Sequence, residues 1–233
     1  ELDRIAKLAR EDKQRQFLSI AHFLTPQAML EAFGDLRKAA SAGVDGVTYE
    51  DYQQNAPVKI QQLHDRLRSG RYRAQPLRRI YIPKEGGKER PISIPSLEDK
   101  IVQKATVTLL NAIYEQDFLD SSKGFRLGRS QHDALDEVDR IIFRRPISAI
   151  LEADICGYFD AIVRNLLMEM MERRVKDGSI LRLIRKWIKV GAIEDGRLLT
   201  SETGTGQGQI ISPLLANIYL HYVLDLWFEN EVR

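Results

Sequence analysis

The sequence predicts an α+β fold, on three observations. Amphipathic stretches with helical spacing dominate the 233 residues. Short apolar runs that read as strands stand between them, without the regular alternation of a βαβ protein. Two glycine-centred punctuations, Gly86-Gly87 and Asp195-Gly196, sit where hairpin tips belong. The length suits one large domain or two small ones and is ample to bury a core.

Taken in order, residues 1–20 read as a charged amphipathic helix. Thr25-Pro26 supplies an N-cap with proline in the first turn, for a helix to about Ala40. Ser41 to Gly46 is a loop, because two glycines flank a turn-forming Asp45. Tyr49 to Ser69 is helical, interrupted by Pro57. Leu77 to Pro83 and Arg90 to Ile94 are strands of a hairpin whose tip is Lys84 to Lys88. Ser96 caps the next helix, with Asp99 reaching back. After a basic, glycine-punctuated loop from Lys123 to Ser130, Gln131 to Phe143 is helical. Ile147 to Asp154 reads as a strand, since Ile147, Ala149, Leu151 and Ala153 share one face. Helices over 161–176 and 179–190, a hairpin over 192–200, and a last helix opened by Ser212-Pro213 complete the chain.

Charge and composition narrow the function. Lys plus Arg is 35 against 33 for Asp plus Glu, so the net charge of +2 points to no partner. Locally the balance changes. Between Arg66 and Arg90 stand nine basic residues and two acids, a patch suited to a phosphate backbone or to a solvated face. A second basic run, Arg182, Arg185, Lys186 and Lys189, follows helical spacing. The single cysteine, Cys156, excludes a disulfide framework and a cysteine-based zinc site, and fits a reducing, intracellular compartment. No apolar run reaches the length of a membrane span.

Two segments carry chemistry. In Leu151 to Asp160 an apolar run ends in Asp154, and Asp160 follows at a helix entry. A carboxylate at a strand end can hold Mg²⁺, which takes oxygen ligands, while Asp160 suits a helix cap. On spacing alone the pair reads first as structural. In Gly204 to Leu215 three glycines allow close backbone approach and leave Gln207 uncrowded. No Gly-Lys-Ser/Thr follows, so this is not a P-loop, and alone it reads as a turn before a helix. The four histidines have no metal-ligand spacing, and no GxSxG occurs.

The order of the segments resembles the reverse transcriptases encoded by bacterial group II introns, which include the intron maturases. AGVDGVTYEDY (42–52), RRIYIPKEGGKERPISIPSLEDKIVQKA (78–105), SSKGFRLGRSQHDAL (121–135), ILEADICGYFDAI (150–162) and GTGQGQIISPLLANIYL (204–220) resemble that family's successive blocks. The resemblance implies the fingers and partial palm of a right-hand polymerase, with helices packed on short antiparallel sheets. It divides the chain into an N-terminal helical extension (1–40), fingers (41–145) and partial palm (146–233). By the same resemblance Asp154 is the first catalytic, metal-binding aspartate, and the Ile155 carbonyl is a second oxygen ligand. Lys84, Arg90, Phe159 and Gln207 bind the incoming nucleotide, and Phe159 disfavours a 2′-hydroxyl. Gly43, Val44, Asp45, Gly46, Arg78, Arg79 and Arg126 face RNA and template.

Implied with these are Mg²⁺ (or Mn²⁺), deoxynucleoside triphosphates, an RNA template with a DNA primer, intron RNA bound to aid splicing, and a bacterial cytoplasmic setting. The reaction is attack of the primer 3′-hydroxyl on the α-phosphate with departure of pyrophosphate.

Two departures from the family pattern stand out. Where it reads Thr-Pro-Gln-Gly-Gly, this chain has Thr205-Gly206-Gln207-Gly208-Gln209. Its Tyr-Ala-Asp-Asp block is absent, and the sequence stops at Arg233. The expectation is therefore a piece of a longer polymerase, inactive alone. Three alternatives stay open: an RNA-binding maturase module without polymerase activity, a domesticated relative (retron, diversity-generating, CRISPR-associated or phage-defence), and a fragment that forms a homodimer through the apolar helix Leu214 to Phe228.

Overall fold

A computed structural model describes residues 1–83, 87 and 89–232. Among them the elements run α1 (Leu2–Glu11), a 3₁₀ turn (Ala21–Phe23), α2 (Pro26–Gly34), α3 (Tyr49–Gln53), α4 (Ala56–Arg68), β1 (Leu77–Pro83), β2 (Glu89–Ile94) and α5 (Leu97–Tyr114). There follow α6 (Gln131–Arg144), α7 (Tyr158–Ala161), α8 (Arg164–Glu172), α9 (Gly178–Lys189), β3 (Ala192–Glu194), β4 (Arg197–Leu199) and α10 (Ser212–Leu220). Two π-helical turns, His221–Asp225 and Phe228–Val232, continue from α10.

The two expected hairpins join into one four-stranded sheet of order β2-β1-β3-β4. Both hairpins are antiparallel, but β1 and β3 pair in parallel, Leu77 with Ala192 and Arg78 with Ile193. The β1–β2 register sets Arg79 opposite Ser93 and Ile82 opposite Arg90. This sheet brings the basic hairpin next to the segment that leads into the glycine-rich loop.

Behind the sheet, α5 is the central helix. Ile101, Val102, Leu110 and Ile113 are fully buried, and its cap is Ser96, whose hydroxyl accepts from Asp99 N. Trp187, Leu215, Tyr114 and Met29 belong to the same core cluster, as do Ile5 and Ala9 of α1. Arg174 ties α1 in: its guanidinium donates to the carbonyls of Ala9, Asp12 and Arg15 and pairs with Asp117 at 2.9 Å. All three sequence divisions contribute to this one core.

Several expectations need correction. The stretch Ile147 to Asp154 is extended but is not a strand, and Leu151 is 92% exposed. A strand needs a neighbour for its N–H and C=O groups, and no described strand lies beside it. The first helix ends at Glu11 and the second at Gly34, short of the expected limits. Pro57 sits in the first turn of α4, so the 49–69 stretch is two helices rather than one interrupted helix. Ser212 does not cap α10: Ile211 is the N-cap, and the Ser212 hydroxyl donates to the Gly206 carbonyl at 2.9 Å. Asp160 lies within α7, whose N-cap is Gly157 at φ 61°.

Candidate nucleotide site between the hairpin and the glycine-rich loop

The Gln207 loop is held from three sides. Ser93 N donates to the Gln207 carbonyl at 2.7 Å, so the loop is tied to β2. Thr205 N donates to the Phe159 carbonyl at 2.9 Å, and Gly204 N to that of Ile162 at 2.8 Å, which tie it to α7. Arg164 closes the remaining side, its guanidinium donating to the carbonyls of Ser201, Thr203 and Gly204.

Glycine is required at two of these positions. A Cβ on Gly208, at φ 106°, would lie 2.7 Å from the Ser93 carbonyl oxygen. One on Gly204, at φ 80°, would lie 2.8 Å from Asp160 Cα.

Held this way, the Gln207 side chain joins residues far apart in sequence. Its Oε1 accepts from Arg90 Nε at 3.2 Å, and its Nε2 donates to Asp160 Oδ2 at 3.3 Å. Arg90, Gln207 and Asp160 are all exposed or half-buried, open to a ligand. Beside them the Phe159 ring is half-buried and meets the rings of Tyr158 and Phe125 edge-on, at 5.8 and 6.3 Å between centroids. Phe125 itself is 75% exposed at φ 55°, an uncommon conformation for a bulky residue. Next to this cluster is a cavity of about 320 Å³ lined by Arg79, Ser93, Asp160, Arg164 and Gln207. Arg79 brings a buried Nε with no hydrogen-bond partner among the described atoms, a donor available to an anion.

The other expected site residues divide. Gly43 to Gly46 form a turn against the start of α5. The turn is held by Arg78 Nε on the Ala42 carbonyl at 2.9 Å and Lys100 Nζ on the Ser41 carbonyl at 2.6 Å. Arg78 thus supports the turn, while Asp45 and Gly46 are exposed and Val44 is half-buried.

Arg126 corrects an expectation. Its guanidinium donates to Glu115 and to the carbonyls of Leu119 and Ser122, and its side chain is 3% exposed, so it holds a loop and does not face RNA. The acid that neutralises the arginine lies eleven residues earlier, in the turn after α5. Lys84 lies outside the described residues.

Asp154 and Ile155 are exposed in the extended segment before α7. Among the described residues no three His, Cys, Asp or Glu side chains come together as a metal cage. One carboxylate and one carbonyl fall short of the donor set that a pair of divalent ions needs. The residues present do not by themselves fit the metal pair.

Sequence reasoning missed Arg164, Ser93 and the direct role of Asp160. Ser93 was recoverable, because the hairpin register places it opposite Arg79. Arg164 carries no local signal, since its partners are backbone carbonyls 37–40 residues away.

Residues 82–231 match the reverse transcriptase (RNA-dependent DNA polymerase) family. This chain belongs to that family. Its relatives include intron-encoded proteins. The group II intron-encoded protein LtrA of Lactococcus lactis subsp. cremoris is 36% identical over 231 residues, covering 97% of this chain and 38% of LtrA. Protein YkfC of Escherichia coli K12 is 38% identical over 237 residues, covering 99% of this chain and 60% of YkfC. The chain therefore spans less than two thirds of the length of either relative. A solved Cas6-RT-Cas1–Cas2 complex superposes with a TM-score of 0.55 over 90% of this chain and 34% of that one, at 23% identity, a likeness of fold. The mixed helical and sheet architecture is that of reverse transcriptase fingers and palm. No described helix is long and apolar enough to cross a membrane.

Proposed function

We propose that these 233 residues are the fingers and first palm segment of a group II intron reverse transcriptase, and that the Arg90–Gln207–Asp160 cluster beside Phe159 receives the incoming deoxynucleotide. The observation that carries the reading is convergence. Residues 90, 160 and 207 come from a hairpin, a short helix and a loop, and meet through hydrogen bonds at 3.2 and 3.3 Å. Arg90 suits triphosphate oxygens, since a guanidinium presents a planar fork of donors. The amide of Gln207 offers a donor and an acceptor to sugar and base. A Phe159 ring lying under the sugar would leave no room for a 2′-hydroxyl and so favour deoxynucleotides. Asp154 would be one ligand of the Mg²⁺ (or Mn²⁺) ions that nucleotidyl transfer uses, with the remaining carboxylates supplied from outside these residues.

The wider reading follows: an RNA template and DNA primer held through backbone and A-form shape, intron RNA as a second ligand, and the bacterial cytoplasm as the setting. The domain division 1–40, 41–145 and 146–233 goes with it. A second reading is an RNA-binding maturase module, favoured by the lone Asp154 and the basic hairpin. Asp154→Asn separates them: on the polymerase reading, primer extension by the whole gene product stops while intron RNA binding persists. Extension that continues in Asp154→Asn would contradict the polymerase reading.

A further inference from the structure

A second cavity, of about 590 Å³, lies between the 3₁₀ turn Ala21–Phe23, the start of α2, the end of α4 and the first turns of α9. It shares no lining residue with the cavity beside Gln207. α9 borders both, lending Arg182 and Lys186 to one and Ile188 to the other. The size is that of a small-molecule site.

Its walls are cationic and apolar at once. Arg68, Arg182 and Lys186 line it, with His22 and His64, and among the described residues no Asp or Glu does. Leu24, Leu67 and Leu183 supply apolar wall, and the Tyr72 ring closes against Lys186, whose Nζ lies 5.4 Å from the ring centroid.

The nearby acids do not neutralise this charge. Asp177 is buried, and its carboxylate accepts from the backbone N–H of Ile20, Ala21, Ser179 and Ile180. Asp65 lies 3.8 Å from His64 Nδ1 and points to solvent. Arg182 donates to the Ser179 hydroxyl and Lys186 to the Tyr72 carbonyl, both neutral partners. Burial and the guanidinium groups of Arg73 and Arg182 hold the Lys186 ammonium below the usual lysine range, as expected where cations gather uncompensated.

The geometry points to a second binding site that takes one nucleotide unit, its phosphate on Arg68, Arg182 and Lys186 and its ring on the leucine wall. The unit comes either from a free mononucleotide or from an unstacked residue of an RNA strand; both present the same chemistry. Nothing in this depends on the polymerase reading, because the site is separate from Arg90, Asp154 and Gln207.

The test is titration of the 233-residue chain with adenosine 5′-monophosphate by calorimetry and with a ten-nucleotide oligouridylate by fluorescence anisotropy. Arg68→Ala/Arg182→Ala is compared with wild type and with Arg4→Ala/Lys7→Ala, which removes equal charge from α1. Arg68 and Arg182 are exposed, and circular dichroism checks that the fold is kept. The expected result is saturable binding that weakens about tenfold or more in Arg68→Ala/Arg182→Ala and is unchanged in Arg4→Ala/Lys7→Ala. Loss for both probes means that a free mononucleotide enters; loss for the oligonucleotide alone assigns the site to an RNA strand. Equal binding by wild type and Arg68→Ala/Arg182→Ala, or an equal loss in Arg4→Ala/Lys7→Ala, overturns the proposal.

Discussion

Asp177 shows how much one side chain can hold. It caps α9 and also satisfies the N–H groups of Ile20 and Ala21 at 2.6 and 2.8 Å, so a single carboxylate joins the N-terminal segment to α9. Burial raises its pKa, but the hydrogen bonds from Ala21, Ile20, Ser179 and Ile180 outweigh that and leave it below the ordinary carboxylate value. Asp177→Ala should cost about 2–4 kcal/mol in urea denaturation, the sum of a lost cap and buried N–H groups left unpaired. The pH dependence has a definite sign. A depressed folded-state pKa gives stability that is present above the unfolded value and is lost as pH falls through the folded one. The gap between wild type and Asp177→Asn should therefore be constant near neutrality and close below about pH 4. At the proposed nucleotide site, Gln207→Ala removes the bridge between Arg90 and Asp160. It should raise the deoxynucleotide KM of the whole gene product about tenfold with a smaller change in kcat, as for a lost binding contact.

Among elements, the loop over 204–209 is the most constrained, and its two departures from the family pattern are physically linked. Gln209 is buried. It accepts from Gln103 Nε2 at 2.9 Å and donates to the Trp187 carbonyl at 3.2 Å, while Gln103 Oε1 takes Ile210 N. A Cβ at Gly206 would stand 2.9 Å from the Gln209 amide nitrogen and 2.8 Å from Leu77 Cδ1. Glycine at 206 thus leaves the space that the longer residue at 209 uses. Gly206→Pro and Gln209→Gly should each destabilise by about 1–3 kcal/mol. The double variant should lose less than their sum by at least about 0.5 kcal/mol, read in a double-mutant cycle. Gly43 is constrained in a different way: its Cβ would meet Ser96 Cα at 2.6 Å, which is backbone and cannot turn aside. Gly43→Ala should lower the melting temperature by lifting the 43–46 turn off α5.

Elements set by local chemistry were legible in the sequence. The β1–β2 hairpin, α5 with its Ser96 cap, α6 and the β3–β4 hairpin stand where periodicity and capping place them. What was not legible depended on distant partners. The parallel β1–β3 pairing, the Arg126–Glu115 pair and the grip of Arg164 on the 201–204 carbonyls join segments that no local pattern connects. The 147–154 strand failed for the complementary reason, since an alternating pattern describes a face and cannot supply the neighbouring strand.

At the scale of the whole molecule, the surface is uneven. α6 has no buried residue although Leu135, Val138, Ile141 and Phe143 line it, and Ile150 and Leu151 continue the apolar surface into the segment before Asp154. Val223, Trp227 and Phe228 add an apolar patch after α10. Apolar surface on this scale drives association. The 233-residue chain should form dimers or larger species in sedimentation velocity at high concentration; a monomer throughout would contradict this. The chain's order of blocks, rather than any single block, identified the family, because each motif alone reads as a turn, a cap or a wet helix face. The bond between Arg90 and Gln207 is the physical counterpart of that order, joining two blocks 117 residues apart.

The most direct test is primer extension on an RNA template with deoxynucleotides and Mg²⁺, using the whole gene product beside its Asp154→Asn and Gln207→Ala forms and the 233-residue chain. The account predicts extension by the first, none by Asp154→Asn or by the 233-residue chain, and a raised deoxynucleotide KM in Gln207→Ala. Extension that is unaffected by either substitution would contradict the placement of the nucleotide between the hairpin and the glycine-rich loop.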